Sequence, residues 1–312
     1  MQPEIIVLGS LNIDLVVQAP RRPRGGETVT GTGFSVVPGG KGANQAVGLG
    51  RLRKKAAMAG RVGEDTFAPL LVANLRAAGV DCSLVQTTPG VPTGTALIVV
   101  DDAGENSIVV VPGANGRVSV ADVAALEHLL ASAKILMMQL EIPLETVEYA
   151  ACLARRHGVT VMLDPAPARP LPASLLENVD IITPNETEAS ALVGVPVDGL
   201  EEGKHCARSL LERGVGAAVV KLAAQGAVAA CRDGVFHVPG FPVRAVDTTA
   251  TGDAFSAGLA VARLEGHPLL EAIRFANACG ALAATRLGAQ TSLPDRAEVD
   301  AFLQGELGGR SS

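Results

Sequence analysis

The segment Val246-Asp247-Thr248-Thr249-Ala250-Thr251-Gly252-Asp253-Ala254-Phe255 runs small residues directly into Ser256-Ala257-Gly258-Leu259-Ala260-Val261-Ala262, a continuous helix former. Amides at such a helix start are unpaired and carry the positive end of the helix dipole. They form a ready site for the charge that spreads over a phosphoryl group during transfer. Gly252 lets the backbone approach closely. Asp253, in the first turn, would be repelled by a phosphate unless it had a task, and taking the proton of an attacking hydroxyl is one. A capping Asp after a Thr-rich turn accounts for the same residues.

A second Gly-rich turn entering a helix is Gly39-Gly40-Lys41-Gly42-Ala43-Asn44-Gln45-Ala46. It is not a Walker P-loop, because Ser35 stands where that pattern needs Gly and Gly42 follows the lysine. The Asn44 amide can donate to and accept from sugar hydroxyls, Lys41 can add a donor, and Gly40 brings backbone close; a plain tight turn is the competing account. Asn12 and Asp14 follow the first strand with Ile13 between them, so both can face one pocket as polyol anchors or cap a turn. Glu141 follows a later strand on the same edge. Asn185-Glu186-Thr187-Glu188 offers hard oxygens for a water-rich Mg²⁺, or else a capping box. His128, His157, His205, His237 and His267 lack metal spacing.

Composition narrows the partners. The net charge is −6 with scattered Lys and Arg, and Trp is absent, which argues against a nucleic-acid surface and for a small molecule. No apolar stretch reaches the length of a membrane span, and the start is too short and acidic for a signal peptide, so a cytoplasmic protein is expected. Five widely spaced cysteines without a C-x-x-C pair read as free thiols, mostly buried. Gly308 to Ser312 reads as a frayed tail.

The elements that must position these residues are legible in outline. Ile5–Gly9, 134–138, 159–163, 180–183 and 217–221 are apolar runs of the kind buried on both faces of a parallel sheet. Amphipathic stretches such as 144–157 and 201–213 lie between them, giving a mostly parallel α/β sheet from about residue 115 onward. Residues 11–39 and 91–113 carry alternating β-branched positions and tight turns, and read as antiparallel hairpins forming a small β lid over the carboxyl edge of the sheet. The expected organisation is one domain over residues 1–312.

Together these segments, with Met138–Glu141, Pro165-Ala166-Pro167-Ala168-Arg169 and Pro184–Glu188, resemble the ribokinase-like family of carbohydrate and nucleoside kinases, from about Ile6 to Phe302. The resemblance implies transfer of the γ-phosphoryl group of ATP to a sugar, with ribose leading and deoxyribose, another sugar or a nucleoside as alternatives. It implies a base at Asp253, an anion hole from Ala250, Thr251 and Gly252, and sugar contacts from Asn12, Asp14, Gly40, Lys41, Asn44 and Glu141. The nucleotide would meet Asn185, Lys221, Leu222, Ala223, Gln225, Gly226, Gly252 and Asn277, with Mg²⁺ near Glu188. A K⁺ site would involve Asp247, Thr249, Ala283, Arg286, Gly288 and Ser292, several through main-chain carbonyls, and the lid would form a homodimer contact. The chain departs from the family at Thr251, where a small residue is usual, and at Ala223-Ala224, which replace a Gly-led pair. A sugar-binding protein with weakened catalysis is the reading those departures motivate.

Overall fold

The computed structural model describes residues 2–308. Its strands, numbered in chain order, are β1 (Ile5–Leu8), β2 (Asn12–Gln18), β3 (Gly33–Gly39), β4 (Ala56–Gly63), β5 (Asp81–Thr88), β6 (Gly94–Val100), β7 (Asn106–Val111), β8 (Ile135–Met138), β9 (Thr160–Leu163), β10 (Ile181–Ile182), β11 (Ala217–Lys221), β12 (Ala227–Cys231) and β13 (Gly234–Val238). Nine form one sheet in the order β13-β12-β11-β10-β9-β8-β1-β4-β5, and β3-β2-β6-β7 form a second. The large sheet is parallel from β5 to β11 and antiparallel only at β12 and β13. The parallel alternation expected from about residue 115 therefore begins at residue 5, because β1 pairs with both β4 and β8 at the centre.

Alternation within β1 shows why a four-residue run suffices. Ile5 and Val7 enter one apolar cluster and Ile6 and Leu8 the other, so each face of the strand is buried beneath helices. The first cluster is closed by the helices Lys41–Arg51, Thr251–Leu264 and Leu269–Ala284, the second by Leu144–Arg156 and Leu200–Glu212. In the small sheet both hairpins are antiparallel as expected, but they join through a parallel β2–β6 pair.

Ser10, Glu141, Asp164, Asn185 and Lys221 all lie at or just beyond the carboxyl ends of β1, β8, β9, β10 and β11, the edge where open α/β sheets bind ligands. Small residues set the height of the helices above that edge. A Cβ on Gly48 would come 2.9 Å from the Ala257 Cβ, so the helices Lys41–Arg51 and Thr251–Leu264 touch closely. One turn earlier on each helix stand Asn44 and Asp253. Of the tail expected over 308–312, Gly308 ends the helix Arg296–Gly308 and residues 309–312 lie outside the described residues.

Candidate active site

Asp253 sits in the first turn of the helix Thr251–Leu264, almost fully buried. Ala250, the residue before that helix, holds φ +59° and supplies no side-chain cap. The Thr251 hydroxyl donates back to the Thr248 carbonyl at 2.9 Å, so its β-branched side chain is turned onto the preceding loop. Among the described residues the Gly252 and Asp253 amides find no acceptor. The Asp253 carboxylate accepts from the side-chain amides of Asn44 (2.9 Å) and Gln45 (3.1 Å). Burial pushes its pKa up to about 6; Lys41 and the two amides oppose the rise, and Asp164 adds to it.

On one side of Asp253 lie the polyol candidates. Asn115 donates to the Asn12 Oδ1 at 2.7 Å and locks itself to the Leu11 main chain at both ends, which leaves the Asn12 NH₂ group to face a ligand. Asp14 packs over Gly39, where a Cβ would collide with its carboxylate at 2.2 Å. Burial, with the charge of Glu141 behind it, lifts the Asp14 pKa to about 7. Glu141 in turn accepts from the Lys41 amide (3.0 Å) and the Ser10 hydroxyl, closing the start of the helix Lys41–Arg51. Gly40 holds φ +89° there, and a Cβ would meet the Asn12 amide nitrogen at 2.7 Å, so glycine is required twice over.

On the other side opens a cavity of about 1210 Å³ lined by Lys41, Asn185, Glu188, Lys221, Gly226, Gly252 and Asn277. The Lys41 ammonium makes no ion pair within 4 Å among the described residues. Burial opposes its charge, but Asp253, Asp164, Glu141 and Glu188 around it outweigh that and hold it protonated. Lys41 thus faces the nucleotide cavity as well as the sugar side. Lys221 pairs with Asp164 at 3.0 Å, and its ammonium lies 3.2 Å from where a Gly252 Cβ would stand. Asn185 and Glu188 form the capping box: the Asn185 oxygen accepts from the Glu188 amide and the Glu188 carboxylate from the Asn185 amide, both at 2.8 Å. Burial and Asp164 raise the Glu188 pKa.

The nucleotide loop is brought to the wall only in part. Ala223, at φ +44°, and Gly226, at φ +89°, reach the cavity. Leu222 and Gln225 do not line it; Leu222 is buried against the Gly203 turn of the helix Leu200–Glu212, and the Gln225 carbonyl accepts from His237. Asn277 does line it, though its NH₂ is spent on the carbonyls of Val238 and Pro239, which leaves its oxygen for a ligand.

Of the cation candidates, Asp247, Thr249 and Gly288 are brought into contact. Asp247 accepts from the Thr249 amide and hydroxyl and from the Gly288 amide; burial opposes but these bonds hold its carboxyl below the usual carboxylate range. The Val246 amide donates to the Ala284 carbonyl at 2.7 Å, so the loops around 247 and 288 are stitched together and the donors are hard oxygens, which suits an alkali cation. The Ser292 hydroxyl donates to the Ala289 carbonyl, and the Arg286 guanidinium is held by Glu298, so Arg286 and Ala283 have only main-chain oxygens to offer. Among the described residues no group of three His, Cys, Asp or Glu is placed to hold a metal ion.

Gln45, Gln139, Asp164, Ser10 and Asn115 were not singled out as site residues by the sequence. Gln45 lies inside the Gly-rich motif and Asp164 at a strand end before Pro165, which is a usable signal; nothing local marks Asn115 or Gln139.

Residues 2–296 match the model of the pfkB family carbohydrate kinases. The chain is similar to the ribokinase of Haemophilus influenzae (40% identity, covering 97% of this chain and 99% of that one). It is also similar to the deoxyribokinase of Salmonella typhi (36%, covering 96% and 98%). Among solved structures it resembles Arabidopsis thaliana ribokinase complexed with ribose and ATP, with a TM-score of 0.90, 34% identity and coverage of 97% and 99%.

Proposed function

The chain belongs to the pfkB family of carbohydrate kinases, and we propose that within it this protein transfers the γ-phosphoryl group of ATP to the 5-hydroxyl of D-ribose. The observation that carries the proposal is the open start of the helix Thr251–Leu264, with a buried carboxylate in its first turn that is bonded to Asn44 and faces a nucleotide-sized cavity. Ribose is held by Asn12, Asp14, Gly40, Asn44 and Glu141, with its 5-hydroxyl toward Asp253. ATP fills the cavity, its phosphates at Lys41, Lys221 and the Gly252 amide and its base near Gly226 and Asn277. Asp253 takes the hydroxyl proton as the 5-oxygen bonds to the γ-phosphorus, and the β,γ-bridging oxygen leaves with the electron pair as ADP.

Asn185 and Glu188 are the residues to hold Mg²⁺ through water, and Asp247, Thr249, Ala283, Arg286, Gly288 and Ser292 those for K⁺. Both cations, when bound, neutralise phosphate charge. Residues 1–312 act as one kinase domain whose small sheet, about 11–39 and 91–113, closes as a lid that excludes water. Its face away from Asp14 exposes Phe34, Val36, Leu97 and Val109, an apolar surface suited to a second copy of the chain. The cytoplasm, where ATP and reduced thiols coexist, is the fitting compartment.

The relatives include a deoxyribokinase, so the acceptor is the point to test. The paired carboxylates Asp14 and Glu141 favour a polyhydroxylated acceptor. ADP release with ribose, with 2-deoxyribose and with no sugar should rank in that order. A faster rate with deoxyribose would move the acceptor assignment, and ribose binding without ADP release would remove the kinase reading.

A further inference from the structure

Behind the catalytic carboxylate runs a row of amides for which the proposed reaction has given no role. The Gln45 Nε2 donates at 3.1 Å to Asp253 Oδ1 and at 3.1 Å to Asp164 Oδ2, so its two hydrogens are shared between two carboxylates. The Gln45 Oε1 accepts from the Gln139 Nε2 at 2.6 Å. All of Gln45, Gln139, Asp164 and Asp253 are buried.

The row has only one workable polarity. If Gln45 were turned over, its oxygen would face two carboxylates, which repel it; so its NH₂ must face them, its oxygen must face Gln139, and Gln139 must present its own NH₂. The consequence is visible one residue further on. The Gln139 Oε1 is a buried oxygen with no hydrogen-bond partner, lying where a Gly9 Cβ would be only 2.1 Å away. A buried acceptor is left unpaired at the far end so that a donor is guaranteed at the near end.

We propose that Gln45 is a positioning residue for phosphoryl transfer: it fixes the rotamer of Asp253, favours its ionised form, and ties it to the Asp164–Lys221 pair beside the Gly252 helix start. This deepens the reading of Asp253 as base and rests on it. Nucleotide phosphates arriving at Lys221 then meet an ion pair whose far oxygen is anchored by the same NH₂ group that holds the base. The charged groups facing Asp253 are Lys41 from its helix, Asp164 after β9 with Lys221 from β11, and, around Lys41, Glu141 after β8 and Glu188 from the helix Glu186–Val193.

The test is the pH profile of kcat at saturating ribose, ATP and Mg²⁺, comparing the unaltered protein with Gln45→Leu, Gln139→Leu and Asp253→Asn. Gln45→Leu keeps the volume and removes both donated bonds. Its acid limb should move up by about one pH unit, the scale of one hydrogen bond to a charged group. Activity should then be roughly fivefold down at pH 6 and within about threefold of normal at pH 8.5. Gln139→Leu leaves Gln45 free to turn, and its limb should move the same way by about half as much. A uniform loss at every pH with the limb in place would show a packing role only and overturn the proposal. Should Gln45→Leu fail to fold, an unmoved limb in Gln139→Leu overturns it equally. Near-normal turnover in Asp253→Asn would instead remove the base reading beneath it. An inactive Asp253→Asn beside an unmoved limb in the glutamine variants would remove the role of Gln45 alone.

Discussion

The helices Glu186–Val193 and Thr251–Leu264 both begin on the same cavity, yet the first caps its start with its own side chains, through the Asn185 and Glu188 amides, and the second has no side-chain cap. At Asn185 the capping box closes the start reciprocally, as the sequence Asn-x-x-Glu does in any helix that must be stable by itself. At Ala250 there is no cap, the residue takes a left-handed φ of +59°, and Thr251 turns its hydroxyl away from the helix amides. Unpaired amides and a left-handed Ala both cost stability. An anion would supply the missing acceptors, so in the proposed reaction the open start is where charge develops and the closed one a rigid wall beside it.

Closing the open start should have the largest effect. Gly252→Val grows a side chain toward the Lys221 ammonium and the phosphate space, and kcat should fall by roughly 10³ while the melting temperature stays within a few degrees. A loss below tenfold would erase the difference between the two helix starts. The pH profile sharpens the same point. As the proposed base, Asp253 would act only when ionised, and its pKa is pushed up to about 6, so kcat at saturating ribose should be flat above pH 7 and fall about tenfold per unit below 6. A limb near the ordinary carboxylate pKa would mean that Asp253 is not the base or is not buried during turnover.

Asp14, with its pKa near 7, should make ribose binding depend on pH in a different window. Hydroxyl donors favour its ionised form, so ribose affinity measured calorimetrically should weaken by several-fold to about tenfold from pH 8 to 6. Affinity that rises as pH falls would place a protonated Asp14 on the sugar. The smallest effect belongs to the closed start. Asn185→Ala removes the cap acceptor and should cost about 1 kcal/mol in denaturant unfolding, with kcat reduced less than tenfold. A catalytic loss as deep as that of Gly252→Val would show that both starts carry charge.

What could be read from the sequence divides along the same line. Gly40 is a backbone requirement written directly in residue type, and the runs at 134–138, 159–163 and 217–221 had to be strands because nothing but a two-faced core accommodates them. Thr251 was legible as a departure but not its consequence, which depends on a rotamer. The Ala223 conformation followed from its place in a turn that favours glycine, and φ +44° is the outcome. The contacts joining Gln45 to Asp164 and Asp253 were hidden, since they require β9 beside the helix Lys41–Arg51 and the Gly48–Ala257 approach, contacts separated by more than a hundred residues. The strands β12, Ala-rich and buried along its length, and β13, five residues long, carry no clear polar–apolar alternation in the sequence.

The central claim is that Asp253 at the open helix start is the base for ribose phosphorylation, and the Asp253→Asn protein tests it when ribose binding and ADP release are measured on one preparation. The account predicts ribose affinity within a few-fold of the unaltered protein and turnover reduced by about 10². Near-normal turnover with ribose bound would contradict it.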